Sequence, residues 1–374
     1  MSRTIIDIHV LQTVPPSNIN RDDTGSPKSA VYGGVRRARV SSQAWKRATR
    51  KEFSKTLDTS ELGERTKKHV ELIAKKIEEI APDLKNSAIA IAEKIFTAAG
   101  IKVEKPKKSG DSDAVSEVAY LLFLSRHQIR NLAQLAVDAE RNGAALDKTT
   151  VKRVADSDHS IDIALFGRMV ADAADLNVDA AAQVAHAISV HAVDNDFDYF
   201  TAVDDCAPED NAGAGMIGTV EFNSSTLYRY ATVDVDALQH NLGSAEAAAR
   251  AVGAFARSFV ISMPTGKQNT FANRTLPEGV VVIVRDAQPV NLVGAFEDAV
   301  VASNGAKRVA VACERLVEYA VEIDRAYSQT PVVSYVVRVG PQTAALERLG
   351  ESVDLEGLIQ AVQSLSEERL REQA

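Results

Sequence analysis

The chain is short of the residues that staple small folds and of those that stack on nucleobases. Only two of its 374 residues are cysteine, Cys206 and Cys313, far apart in sequence. They can build neither a disulfide framework nor a thiolate metal cage, and a reducing compartment fits. Aromatic residues make up 5%. The strand-like runs 4–10 and 280–284 contain none, and no Lys/Arg-Gly-Phe/Tyr strand motif occurs, which excludes base stacking on a sheet of the usual RNA-recognition type. Long hydrophobic runs are absent too. The longest aliphatic run, 280–284, falls well short of the roughly twenty residues that span a bilayer. Asp7 interrupts the apolar N-terminus as a signal peptide would not. The expectation is a cytoplasmic protein with no membrane partner.

What is present is ordinary globular composition, 45% hydrophobic and 25% charged, on a chain long enough for one large core with an insertion or for two domains. The net charge of −8 hides a strong asymmetry. Between residues 21 and 55 ten Lys/Arg stand against three acids, a local +7, which leaves −15 on the rest. Screening acts over about 8 Å at physiological salt, so a cationic block survives as a local field on an acidic body.

Residues 4–14 alternate loosely, which predicts a first strand with one wet face carrying Asp7 and His9. Residues 15–34 are dense in Pro, Asn, Asp, Gly and Ser and predict a long functional loop. Ser41 or Ser42 then caps a basic helix over 43–53. From 61 to 191 the spacing of Val70, Ile73, Ile77 and Ile80 typifies a stretch predicted to be nearly all helix, with a Lys-rich exposed loop at 102–113. A protruding hairpin or loop is predicted at 204–218 before a strand at 219–233. Helices at 237–259, 307–327 and 355–371 alternate with strands at 279–285 and 332–339. This order predicts an α+β fold, an RNA-recognition/ferredoxin-like antiparallel sheet with helices on one face.

Lys46 and Arg50 lie four apart on one face of the basic helix, while Trp45, Ala48 and Phe53 offer apolar contacts elsewhere. Ser41 and Ser42 place the positive end of the helix dipole where a phosphate can sit. Arg21, Lys28 and the Arg36-Arg37-Ala38-Arg39 run strengthen this as a backbone-binding surface over the bland reading, a solvated basic face. The segment 262–269 lacks the glycine pattern of a phosphate loop. Its Lys267 is balanced between a phosphate contact and an ordinary exposed lysine. Asp194, Asp196 and Asp198 have calcium-loop spacing, but Tyr199 and Asp205 occupy the positions that need Gly and Glu, so no metal or cofactor is expected. His186 and His191, five apart, are predicted to diverge around a helix in packing or surface roles. Met169 reads first as a helix core residue, with a wedge between bases as the sharper alternative.

Several segments resemble one family. They are His9-Val10-Leu11-Gln12, the run 16–23, the run 33–43 from Gly33-Gly34 to Ser41-Ser42-Gln43, Trp45-Lys46-Arg47-Ala48, Asp162-Ile163-Ala164-Leu165 with Gly167-Arg168-Met169, Ala185-His186-Ala187-Ile188, the run 200–205, and Tyr228-Arg229-Tyr230-Ala231. Together they are similar to the CasC family, the repeated backbone subunit of the type I-E Cascade CRISPR complex. The resemblance implies a right-hand shape with a palm at 1–59 and 223–374, a helical fingers insertion at 60–190 and a thumb loop at 193–222. It implies copies coating a CRISPR RNA, gripped through positions matching Arg21, Lys28, Ser41, Gln43, Lys46 and Arg50. It also implies that a base is displaced at intervals, with Met169 and Thr201 at the matching positions. The implied partners are the CRISPR RNA, target DNA through the guide, copies of the chain itself and other Cascade subunits, with no catalysis. Residues 61–160 match the family poorly.

The competing expectations are a metal-dependent ribonuclease drawing on Asp22-Asp23 and Asp204-Asp205, and a small-ligand enzyme with no motif behind it.

Overall fold

The structure, a computed structural model, describes residues 3–106, 114–202, 216–302 and 307–373. The chain forms two compact units. Met1–Glu52, Gln183–Val235 and Val252–Ala374 make the first, and Phe53–Ala182 with Asp236–Ala251 the second.

The first unit holds the strands β1 (Ile5–Ser17), β2 (Ser29–Tyr32), β3 (Val35–Val40), β4 (Ala187–Ser189), β5 (Asp196–Ala202), β6 (Met216–Asp234), β7 (Gly279–Arg285), β8 (Val333–Arg338) and β9 (Glu351–Ser352). Their order across the sheet is β9-β8-β7-β1-β6-β4-β3-β2, with β5 on the outer part of β6. Pairing is antiparallel except for the two-residue β8–β9 contact. Among the described residues the α-helices are α1 (Ser42–Phe53), α2 (His69–Ile80), α3 (Ala88–Ala99), α4 (Arg126–Arg141), α5 (Lys148–Ala155), α6 (Ile161–Phe166), α7 (Val235–Leu242), α8 (Ala245–Ile261), α9 (Gln268–Phe271), α10 (Arg308–Tyr327) and α11 (Leu355–Glu372). Among the described residues no helix is long and apolar enough to cross a membrane.

The first strand has no wet face, contrary to the alternation in its sequence. Residues 5–12 are all buried. Leu11 packs with Tyr228, Val281, Phe296 and Leu316 of α10 on one side, while Val14 packs with Trp45, Leu227 and Met263 on the other. Helices therefore cover both faces of the central strands rather than one. Asp7 and His9 are accommodated by a buried polar network. Asp7 accepts from the Tyr230 hydroxyl at 2.7 Å, the Val290 N–H at 3.0 Å and Arg285 Nε at 3.3 Å, and Arg285 in turn donates to Asp324 at 2.8 Å. A buried charge costs several kcal/mol unless paired and hydrogen-bonded, which is why these partners converge. Burial still pushes the Asp7 carboxyl up, and it pushes His9 down to about 3.

The second unit is mostly helical around Val70, Ile73, Ile77, Ile91, Ile95, Phe96, Leu132 and Val137, the inner stripe that the three- and four-residue spacing of α2 predicts. α4 begins with a reciprocal cap in which Ser125 Oγ accepts the Gln128 N–H and Gln128 Oε1 accepts the Ser125 N–H, both at 2.9 Å. The region is less helical than predicted. Gly63–Thr66 pairs with Leu122–Ser125, because the short apolar run before the Ser125 cap is a buried strand. α6 stops at Gly167, whose φ of +78° suits glycine, and the chain through His186 and His191 runs as short strands and coil. Of the Lys-rich loop, residues 107–113 lie outside the described residues.

Candidate nucleic-acid interface

α1 follows β3 directly, and its start is fixed by side chains. Asn20 Oδ1 accepts the Ser41 N–H at 2.8 Å, and Ser41 Oγ accepts the Ala44 N–H at 3.3 Å. The first amides of the helix are thus partly spent on capping, and Ser41 itself is buried. Trp45, Ala48, Thr49 and Phe53 form the buried stripe. Arg229 anchors that stripe. Its guanidinium lies over the Trp45 ring and the Phe259 ring, and it donates to Gln12 Oε1 at 2.6 Å and to the Phe259 carbonyl near the end of α8. Cations favour helix C-termini, and an aromatic face replaces part of the lost hydration. With that stripe inward, Gln43 and Arg47 stand exposed, and Lys46 and Arg50 lie half-buried at its edge. Burial pushes the Lys46 ammonium below its ordinary value.

Two loops of the same unit come to this helix's start. In residues 18–28, Asp22 accepts from the Thr24 and Ser26 amides, both at 3.0 Å, and Lys28 N–H donates to the Asn20 carbonyl at 2.9 Å. Arg21 is exposed and Lys28 half-buried. A small groove of only about 20 Å³ lies beside this loop, lined by Asn20, Lys28, Arg39, Asn223 and Ser225 among others. The second loop brings Lys267. A Cβ on Gly266 would run into the Ile19 carbonyl, so only glycine lets the two loops touch, and Lys267 follows in the left-handed region at φ +50°.

Not every cation of the block faces outward. Arg37, expected to flank the helix, is buried and donates to the carbonyls of Ser189 at 3.0 Å and of Phe296 and Glu297 at 2.9 Å. It clamps β3 to its neighbours and is structural. Arg39, singled out only as part of that run, does line the groove, and its Nη1 lies 3.2 Å from His186 Nδ1. Alternation separates exposed Arg36 from buried Arg37, but Arg39 has the parity of Arg37, and its half-exposed position comes from lying near the end of β3 rather than from the period of two.

Thr201 is exposed on β5, opposite Ile217 of β6. Alternation puts Phe197, Tyr199 and Thr201 on one face with Ile217, and Phe197, Tyr199 and Ile217 are 67%, 64% and 61% exposed. These three were missed in the sequence, although their period of two is legible. Residues 203–215, with Asp204, Asp205 and Cys206 and most of the hairpin or loop expected at 204–218, lie outside the described residues. In the second unit Met169 is not a helix core residue. It is 81% exposed, on a turn fixed by buried Arg168, which donates to the Leu176 carbonyl at 2.6 Å, the Ala155 carbonyl at 3.0 Å and Asp156 at 2.8 Å. Among the described residues no group of three or more His, Cys, Asp or Glu is placed to hold a metal ion.

The sheet, the basic helix and its loops belong to a pattern met elsewhere. Residues 6–361 match the family described as CT1975-like protein. The chain belongs to the CT1975-like family. It is similar to a chain of a CRISPR RNA-guided surveillance complex, pre-nicking, at 36% identity and a TM-score of 0.85, over 96% of this chain and 100% of that one. It is similar to a chain of a second CRISPR RNA-guided surveillance complex at 31% identity and a TM-score of 0.74, over 96% of this chain and 99% of that one. No curated protein matches the chain. The CT1975-like chain thus shares a mixed α/β fold, with one large sheet and many helices, with subunits of such complexes.

Proposed function

We propose that this chain is a non-catalytic backbone subunit of a type I-E Cascade complex, of the CasC kind. Copies of it polymerise along one CRISPR RNA and present the guide for pairing with target DNA. The observation that carries the reading is the set of cations on α1 and on the loops and strand beside it, where Arg21, Lys28, Arg39, Lys46, Arg50 and Lys267 are contributed by one unit. Phosphate contacts of this kind supply affinity without reading sequence, so recognition of the target is left to base pairing. Likeness to chains of CRISPR RNA-guided surveillance complexes supports the same partners.

In this reading the first unit supplies an RNA-recognition-like palm, the second supplies fingers, and the β5–β6 hairpin is a thumb that reaches the next copy. An isolated two-stranded hairpin is marginal in water. One that exposes Phe197, Tyr199 and Ile217 is suited to being covered by a neighbour. Met169 and Thr201 are the side chains assigned to displacing a base, and Ser41 and Gln43 join the grip on the backbone. The test is co-purification from cells expressing a CRISPR RNA, followed by mass measurement of the particle. Several copies per RNA are expected, and purification as an RNA-free monomer overturns the reading.

A further inference from the structure

His186 lies beside Arg39, one of the groove-lining residues, in the short segment before β4, and is exposed. Its Nδ1 lies 3.2 Å from Arg39 Nη1. An arginine has only donors, so Nδ1 must accept, and the ring proton is placed on Nε2. Arg39 is held in turn, its Nε donating to the Ser29 carbonyl at 3.2 Å and its backbone N–H to the Lys28 carbonyl at 2.9 Å. The ring is therefore fixed with one nitrogen on a groove cation and a donor left on its other edge. Burial first, and then Arg39 and Lys28, hold the imidazole below its ordinary value, so at neutral pH it is an uncharged N–H donor. The charged groups that act on it are Arg39 from β3 and Lys28 from the loop before β2.

We propose that His186, oriented by Arg39, is a further contact for single-stranded RNA, donating from Nε2 to a phosphate oxygen of a strand laid over Lys28 and Arg39. This deepens the RNA-binding reading above and rests on it. A phosphate arriving at the groove offsets the two cations that oppose protonation of the ring. The added proton goes to Nδ1, so the ring gives up the Arg39 bond as it charges and is held by the phosphate instead. Bound RNA makes that uptake easier, and by linkage a falling pH tightens RNA binding through this residue.

The test is binding of a fluorescent oligouridylate to the full chain at pH 7.5 and 5.5. His186→Ala is expected to weaken binding about tenfold or more at pH 7.5, the scale of one hydrogen bond to a charged group. Wild type is expected to gain severalfold on acidification and the alanine variant to lack that gain. In His186→Gln the side-chain oxygen can accept from Arg39 and the amide can donate outward, but it takes up no proton. It is expected to recover most of the neutral-pH loss without the acid gain. Arg21→Ala with Lys28→Ala serves as the reference. If that pair weakens binding while both His186 variants match wild type at each pH, the inference about His186 is overturned and the RNA-binding reading stands. If neither set changes binding, both are overturned.

Discussion

The guanidinium carbon of Arg229 lies 3.7 Å from the centroid of the Trp45 ring, and that stack decides which way α1 faces. A buried cation with carbonyl and amide acceptors on one side and an indole on the other has few alternative arrangements. The helix it holds must present its remaining positions, Gln43, Lys46, Arg47 and Arg50, toward the rim. Trp45→Ala is expected to cost about 3–5 kcal/mol of stability, the range for deleting a buried aromatic. Chemical denaturation measures it, and a loss under about 1 kcal/mol contradicts the anchoring role.

Neutralising Lys46 and Arg50 together is expected to weaken RNA binding equally for unrelated sequences. The slope of log affinity against log salt should fall by about 0.7 for each phosphate of a single strand that the protein no longer neutralises. Titrations at several salt concentrations check this, and an unchanged slope removes these two residues from the interface.

Gly266→Ala carries no charge change, yet its Cβ meets the Ile19 carbonyl. The expected result is displacement of the loop that holds Arg21 and Lys28, seen as weaker RNA binding with a smaller change in thermal stability. Retained affinity in this variant would show that the two loops act independently.

Replacing Phe197, Tyr199 and Ile217 with serine is expected to leave the stability of the isolated chain within about 0.5 kcal/mol, as for exposed positions generally. The number of copies assembled on a CRISPR RNA should fall. Native mass measurement counts them, and full assembly would relieve the hairpin of its proposed role.

Acid should destabilise the fold through its buried histidines. Burial holds His69 and His191 at about 4, below their unfolded value. Between about pH 6.5 and 4 the unfolded chain therefore binds more protons than the folded one, and stability falls as pH falls. Each such histidine contributes at most about 1.4 kcal/mol per pH unit. Asp7, pushed up by burial, works in the opposite direction. Melting curves across this range, compared with His191→Gln, measure the effect, and a loss of the same steepness in both proteins argues against His191.

The elements most legible in the sequence were those whose signals agree. α1 has a serine start, no Pro or Gly and a basic outer face, and β7 is an aliphatic run closed by Gly279 and Arg285. Asp7 and His9 misled because polarity marks a wet face only when no buried partner exists, and Arg285, Tyr230 and Val290 lie far along the chain. Arg37 was counted with the outward cations because charge in a sequence carries no direction until strand pairing gives it one. His186 looked inert for a related reason, since its value depends on Arg39, which only the β3–β4 pairing brings near.

Helices wall in both sides of the central strands β1 and β7, so those two strands offer no open face to a ligand. In the proposed function the RNA is therefore met at the perimeter, where loops come together. Perimeter loops can change without disturbing the packed interior beneath them, so the grip can be retuned by substitution while the scaffold stays as it is.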